Sequence, residues 1–315
     1  MSNKKKIILH GFTAAEVAQF IYAAFTVLLI LLTWSNVGDA ASLLLTRAMA
    51  LGGTLLLWLV YQLWPVKAVM LCRVAYMLFL LGVWYPDTYE LNHQFGSYDH
   101  LFASADQSLF GFQPAAVFSQ TFSSPIVSEL MYMGYVSYYL FFILTIGWVF
   151  FKDYKQLDRV MLIVFGGFFL CYVVYDLLPV TGPQYYYLAV GMDNIMQGNF
   201  PDINHFFTHS TECLKSPGWQ DGLFYQFCQV AHQAGERPTA AFPSSHVAIA
   251  TLVMMICLKM RLRILALFLL VPYVFLCFST VYIYAHYAVD SIAGFFVGIA
   301  LFYIFGGRKL ARSAK

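Results

Sequence analysis

The chain alternates long apolar blocks with short polar breaks. Eight blocks are long enough to be read as membrane spans, at about 17–34, 43–64, 68–85, 126–151, 160–178, 243–260, 262–283 and 286–306. The third is short, and the last two are separated by a few residues. The pattern predicts an all-α fold: a polytopic integral membrane helical bundle of about eight transmembrane helices. Gly38-Asp39-Ala40 loosely imitates a signal-peptide cleavage site after the first block. That block is too apolar for too long, and further spans follow it, so an uncleaved anchor is expected.

Composition supports this reading. Of 315 residues, 60% are hydrophobic and 11% charged, with 30 Phe and 22 Tyr, whereas a soluble domain carries roughly a quarter charged residues. The formal net charge of +2 gives no sign of a nucleic-acid partner. Charge placement fixes an orientation. With both ends cytoplasmic, the inner segments hold Lys4, Lys5, Lys6, Lys67, Arg73, Lys152, Lys155, Arg159, Lys259, Arg261, Arg263, Arg308, Lys309, Arg312 and Lys315. Arg47, Lys215 and Arg237 are the three basic residues left outside. Trp34, Trp64 and Trp84 fall at span ends, as interfacial aromatics do.

Two long outer segments remain, about 86–125 and 179–242, and every histidine except His10 lies in them or at an adjoining span mouth. The stretch "AAFPSSHVAIA" puts Pro243, Ser244, Ser245 and His246 at the start of the sixth span. Proline suits a first helical turn. The amides of Ser244, Ser245 and His246 would then point outwards at the positive end of the helix dipole, where an oxyanion binds; the alternative is a simple N-cap serine beside an interfacial histidine. In "HYAVDSIAG", His286 and Asp290 are four apart at the start of the last span. An aspartate accepting from one imidazole nitrogen leaves the other as a nucleophile, although the pair could equally cap a buried helix. Arg237, nine residues before His246, offers a donor fork matched to phosphate or to lipid headgroups at large.

An arginine-proline motif, a Pro-Ser-x-His motif and a His-x-x-x-Asp motif one span later, in this order and topology, resemble the type-2 phosphatidic acid phosphatase superfamily over residues 86–306. The resemblance implies that His286 attacks phosphorus to give a phosphohistidine, oriented by Asp290, and that His246 protonates the departing oxygen. Arg237, Ser244 and Ser245 would hold the phosphoryl group, with no metal or other cofactor. It divides the chain into N-terminal transmembrane helices (1–85), a catalytic membrane domain (86–306) and a basic cytoplasmic tail (307–315).

Two cations of the superfamily pattern are absent: Val230 stands where a lysine is usual, and Thr280 where an arginine follows serine. "DQSLFGFQP", "YDLLPVTGPQYY" and "HYAVDSIAG" are similar to the inositol phosphorylceramide synthase branch. That resemblance implies transfer of a phospho-headgroup from a phospholipid to a ceramide-like acceptor. A lipid phosphate phosphatase, acting on phosphatidic acid-like or prenyl phosphate lipids, is the alternative, and a non-enzymatic transporter the second. The branch implies a bacterial inner membrane with the site facing the periplasm, or a Golgi lumen face. Asp176 is expected either to contact a hydroxylated headgroup or to pair with a neighbouring span. His205, His209 and Glu212 have the spacing of helical metal ligands, against the plainer reading of a polar loop. Residues 99–123 are expected to lie along the outer interface. Cys213 and Cys228, both in the outer loop, are expected to form a disulfide in oxidising surroundings.

Overall fold

The structure, a computed structural model, describes residues 11–235 and 237–312, without the side chains of 232–235. Lys4, Lys5, Lys6, His10 and Lys315 lie outside the described residues. The described residues form helices joined by loops, with no strand among them. Its elements are α1 (Ala14–Leu32), α2 (Ala40–Leu63), α3 (Lys67–Asn92), α4 (Asp99–Phe110), α5 (Pro114–Thr121), α6 (Pro125–Val136) and α7 (Tyr138–Lys152). They continue with α8 (Leu157–Leu177), α9 (Pro183–Val190), α10 (Met192–Met196), α11 (Leu223–Gly235), α12 (Ser245–Met260), α13 (Arg263–Tyr282) and α14 (Ala288–Ile304).

All eight expected apolar segments are helical, and the protein is a polytopic membrane bundle. Five of them are long and apolar enough to cross a bilayer: α1, α2, α3, α8 with the turn before it, and α13. The expected fourth span is not one rod: α6 and α7 meet at 43°. Ser137 sits at the break and donates to the Gly134 carbonyl at 2.6 Å, a Gly/Ser arrangement that commonly kinks a helix. α3 runs past its expected end, through Pro86 to Asn92. α12 and α14 have only 16 and 17 residues, short of the roughly 20 that span a hydrocarbon core. These two short helices carry the histidine motifs.

Helices α1, α2, α3 and α8 form one side of the bundle, closed by ion pairs as well as apolar packing. At the end expected to be inner, Arg73 donates to both carboxylate oxygens of the buried Glu16. Glu16 also closes a capping box with Thr13 at the start of α1. Nearer the other end Arg47 donates to Asp87 at 2.6 Å and lies over the Trp84 ring, 5.4 Å from its centroid. Arg47 is therefore a buried α2 residue near the end expected to be outer. Trp84, fully buried, is no interfacial anchor, unlike the exposed Trp34 and Trp64.

On the other side α12 is sheathed almost completely, and α14 crosses it at backbone distance. A Cβ added at Gly294 would stand 2.5 Å from the Ser244 carbonyl oxygen, and one at Gly298 would stand 2.3 Å from that of Ala248. A small residue every four positions lets two helices approach this closely in a membrane. The crossing brings the N-terminal ends of α12 and α14, and hence the two histidine motifs, together.

Candidate active site

Pro243 precedes the α12 cap instead of entering its first turn. Ser244 is the N-cap: it is fully buried and its hydroxyl accepts from the Val247 amide at 3.4 Å. The Ser244 amide donates to the Asp290 carbonyl at 3.1 Å, and the Ser245 amide donates to the Tyr175 hydroxyl at 3.0 Å. That hydroxyl donates in turn to the Pro243 carbonyl at 2.7 Å. Two of the three amides expected to face an oxyanion are thus already bonded within the protein. Tyr175, on α8, pins the motif by using both functions of one phenol, a role the sequence pattern does not reveal. His246 follows, half-buried, stacked on Tyr135 at 4.5 Å between centroids and set against Tyr138 at 4.3 Å.

His286 lies in the turn between α13 and α14, just before the α14 cap Tyr287. Its ring is 5.7 Å from that of His246, centroid to centroid, and the residue is only 3% exposed. The orienting acceptor is not the expected aspartate. His286 Nδ1 lies 2.7 Å from the Ala241 carbonyl oxygen, whereas Asp290 Oδ2 is 3.8 Å away and accepts from the Tyr287 amide at 2.9 Å. A carbonyl can only accept, so the proton sits on Nδ1 and Nε2 keeps its lone pair. The tautomer is the one the sequence reading requires, fixed by a backbone group. Burial also pushes the imidazole down to about 4, partly offset by the Ala241 bond, so the ring is neutral near pH 7. The His286 amide donates to the Thr280 carbonyl at 3.0 Å.

The remaining support comes from α4 and from the segment after α8. Asp99 is fully buried and accepts from Ser97, from the Thr181 amide and hydroxyl, from the Gly182 amide and from the Tyr287 hydroxyl, all within 2.6–3.0 Å. Asp106, two turns further along α4, accepts from the Ala288 and Val289 amides, both at 2.9 Å. Burial pushes the carboxyl of Asp106 up to about 6 and that of Asp99 upwards, against their hydrogen bonds. Val180 accepts from the Ala241 amide at 2.9 Å. Gly182, at φ +95°, lies so close to the Ala285 carbonyl that a Cβ would come within 2.6 Å of it. "VTG" therefore ties α4, the Ala241 segment and the His286 turn together.

The other sequence candidates are scattered. Asp176 accepts from the α1 residue Tyr22 at 3.1 Å and is fully buried, so of its two expected roles the structure shows pairing with a neighbouring span. Arg237 is exposed, two residues before Thr239, within electrostatic reach of Tyr89. Val230 is 66% exposed on α11. Thr280 is fully buried, its hydroxyl 2.8 Å from that of Ser291, in a place with no room for an arginine. His205 and His209 are exposed on either side of a single 3₁₀ turn, not on a helical face. Among the described residues, no three His, Cys, Asp or Glu side chains are gathered as a metal site. Cys213 is exposed in the loop after that turn, and Cys228 is buried on α11.

A cavity of about 370 Å³ opens between α3, α7 and α8 and ends at Ser245 and His246. Leu81, Tyr85, Phe142, Phe168 and Tyr172 give it an apolar and aromatic wall. The arrangement thus places one half-buried imidazole at the end of a greasy cleft and a second, tautomerically fixed imidazole behind it. Such a pair can perform nucleophilic and general acid–base chemistry on a group whose apolar body stays in the cleft.

The PAP2 superfamily matches residues 100–304, which span α4 to the end of α14, and the chain belongs to that superfamily. No curated protein and no solved structure matches the chain.

Proposed function

We propose that this PAP2-superfamily membrane protein is a lipid phosphotransferase working through a phosphohistidine on His286. Superfamily membership places it among phosphatase or phosphotransferase enzymes acting on lipids in a bilayer; the residue roles and the acceptor are our reading. The observation that carries it is the facing pair of imidazoles, 5.7 Å apart, with Nδ1 of His286 engaged by Ala241 and its Nε2 left to react. The Nε2 lone pair attacks phosphorus, and the bond from phosphorus to the diacylglycerol oxygen breaks. His246 donates its proton to that oxygen. Positive charge develops on the His286 ring, and Asp290, 3.8 Å from Nδ1, stabilises it electrostatically. His246, now neutral, takes the proton of an acceptor hydroxyl, whose oxygen attacks phosphorus and breaks the N–P bond. Ser245 and Arg237 are the candidate phosphoryl ligands. Ser244 acts through its cap.

The acceptor is read as a ceramide-like lipid and the donor as a phosphodiester. Val230 and Thr280 supply no cation, and a phosphodiester, with less charge than a phosphomonoester, needs fewer. The apolar cleft fits a chain-bearing substrate arriving from within the bilayer. The site is assigned to the extracytoplasmic face by the distribution of Lys and Arg. Purified protein given a labelled phospholipid panel with and without ceramide tests this. Headgroup-phosphate transfer that depends on ceramide, with slow hydrolysis in its absence, supports the reading. Fast release of inorganic phosphate from phosphomonoester lipids, indifferent to ceramide, replaces it with a phosphatase. Cysteine labels at positions 95 or 220 reacting from outside intact cells, and labels at 154 or 261 not reacting, support the orientation; the reverse pattern overturns it.

A further inference from the structure

The reactive turn Ala285–Val289 is short, runs into the first residues of α14, and holds its imidazole by one bond to a backbone carbonyl. Something must keep that turn in register with α12. Two carboxylates from a single remote helix reach it. Asp99 and Asp106 are seven residues apart on α4, hence on one face of it, and both are fully buried. Asp106 binds the amides of Ala288 and Val289, the first two residues of α14. Asp99 takes the hydroxyl of Tyr287 and, on its other side, the amides of Thr181 and Gly182. The three residues they bond in this turn, Tyr287, Ala288 and Val289, directly follow His286. None of the three carboxylates around this turn, Asp99, Asp106 or Asp290, forms an ion pair with Lys or Arg among the described residues. Their positions are set by backbone amides, whose directions are fixed, with hydroxyls beside them, and not by a flexible cation.

We propose that α4 is the positioning element of the reaction, and that Asp106, with Asp99 beside it, holds the first turn of α14 so that the His286 imidazole faces His246. Asp106 bonds the Ala288 and Val289 amides and neither imidazole. It acts through His286, and in this the inference rests on the nucleophile assigned above. Two fixed acceptors bind two fixed donors, so the contact resists both rotation and translation of the turn. Misplacing a reacting group by about 1 Å costs on the order of 10²-fold in rate. An amide at position 106 presents one acceptor and one donor to two donors, so Asn can keep one bond and must oppose the other.

Glu129 provides a matched control. It caps the start of α11 in the same manner, accepting from the Phe224 and Tyr225 amides at 3.1 Å, and makes no hydrogen bond to the Ala285–Val289 turn. Asp106→Asn, Asp106→Glu, Asp99→Asn and Glu129→Gln are compared in the full-length protein in detergent and in vesicles. Lipid turnover is one readout, and carbethoxylation of His286 by diethyl pyrocarbonate, followed by peptide mass spectrometry, is a second that needs no lipid substrate. Asp106→Asn is expected to lose about 10²-fold in kcat with KM little changed. Its buried His286 becomes about tenfold more reactive, because a turn that has lost part of its cap opens locally more often. Glu129→Gln should lower thermal stability comparably without either effect, and Asp106→Glu should recover part of kcat. Equal kcat and equal His286 reactivity in Asp106→Asn and Glu129→Gln would overturn the proposal. If Asp106→Asn does not fold, Asp99→Asn carries the same two readouts. Wild type inactive on every lipid would defeat the functional reading instead, while the reactivity comparison would still decide the positioning role.

Discussion

Two buried acidic centres in this molecule are neutralised in different ways. In the N-terminal bundle, Asp87 is paired with the guanidinium of Arg47, and Glu16 with that of Arg73. Around the His286 turn, Asp99, Asp106 and Asp290 are held by N–H and O–H groups alone. A guanidinium pair joins two helices and tolerates some movement of both, because the side chains are long. Amide-held carboxylates transmit the position of one backbone to another. The first arrangement holds helices together; the second aims a side chain.

The sharpest way to break the comparison is to separate the backbones it depends on. Gly298→Val places a branched side chain where a Cβ already meets the Ala248 carbonyl oxygen at 2.3 Å. Turnover should fall by more than about 10²-fold, since the two histidines can no longer face each other; near-normal turnover in folded protein would show that the α12–α14 crossing does not set the site. The N-terminal centre should respond differently. Arg47→Met leaves the part-buried Asp87 without its cation and should cost about 3 kcal/mol, whereas adding Asp87→Leu should return most of it. Thermal unfolding measures both, and turnover per folded molecule should stay near wild type. A large loss of specific activity in the double variant would mean that the two centres are not independent.

Two smaller effects sharpen the same contrast. A disulfide between Cys213 and Cys228 would close a loop worth about 3 kcal/mol on chain-entropy grounds, a covalent tie in the segment leading to Arg237. Both sulfurs should resist alkylation in protein from an oxidising compartment, and ready alkylation of both would remove the proposal. The pH dependence of stability gives the smallest net change, because two buried groups oppose each other. His286, pushed down to about 4 from an unfolded 6.5, contributes stability that is present above 6.5 and lost as pH falls towards 4. Asp106, pushed up to about 6, contributes stability that is present below about 4 and lost as pH rises through 6. Each is worth on the order of 3 kcal/mol, since a tenfold change in proton affinity corresponds to about 1.4 kcal/mol. The two contributions therefore oppose each other between about pH 4 and 6, and Asp106→Asn should lose more stability than wild type on acidification across that window. A variant curve parallel to that of wild type would refute the opposed pair.

The apolar blocks are legible because span length and hydropathy are local properties, and every expected block is a helix. The kink at Ser137 is not, because a single Gly/Ser step inside an apolar run leaves the hydropathy unchanged. The histidine motifs are legible as chemistry, but their partners are not. Ala241 orients His286 through a carbonyl, which any residue would supply, so no letter of the sequence announces it. Asp99 and Asp106 act across more than 180 residues on the turn before α14, and such long-range bonds leave no periodic trace. "DQSLFGFQP" contains Asp106, yet its likeness to a family says nothing of what that carboxylate holds. The Gly294–Gly298 spacing in the last span is the one signal in the sequence that could foretell the close crossing. The burial of Arg47 is not legible either, because an arginine early in a span looks the same whether it faces headgroups or a carboxylate.

The central claim is that His286 Nε2 carries the phosphoryl group. Acid-labile phosphoenzyme, trapped from protein turning over a labelled phospholipid and mapped by mass spectrometry, tests it most directly. The account predicts label on His286, absent in His286→Ala, and accumulating slowly in His246→Ala from a donor with an activated leaving group. Label on His246, or turnover reduced only a few-fold in His286→Ala, would contradict it, since general acid–base assistance alone is worth about 10²–10⁴.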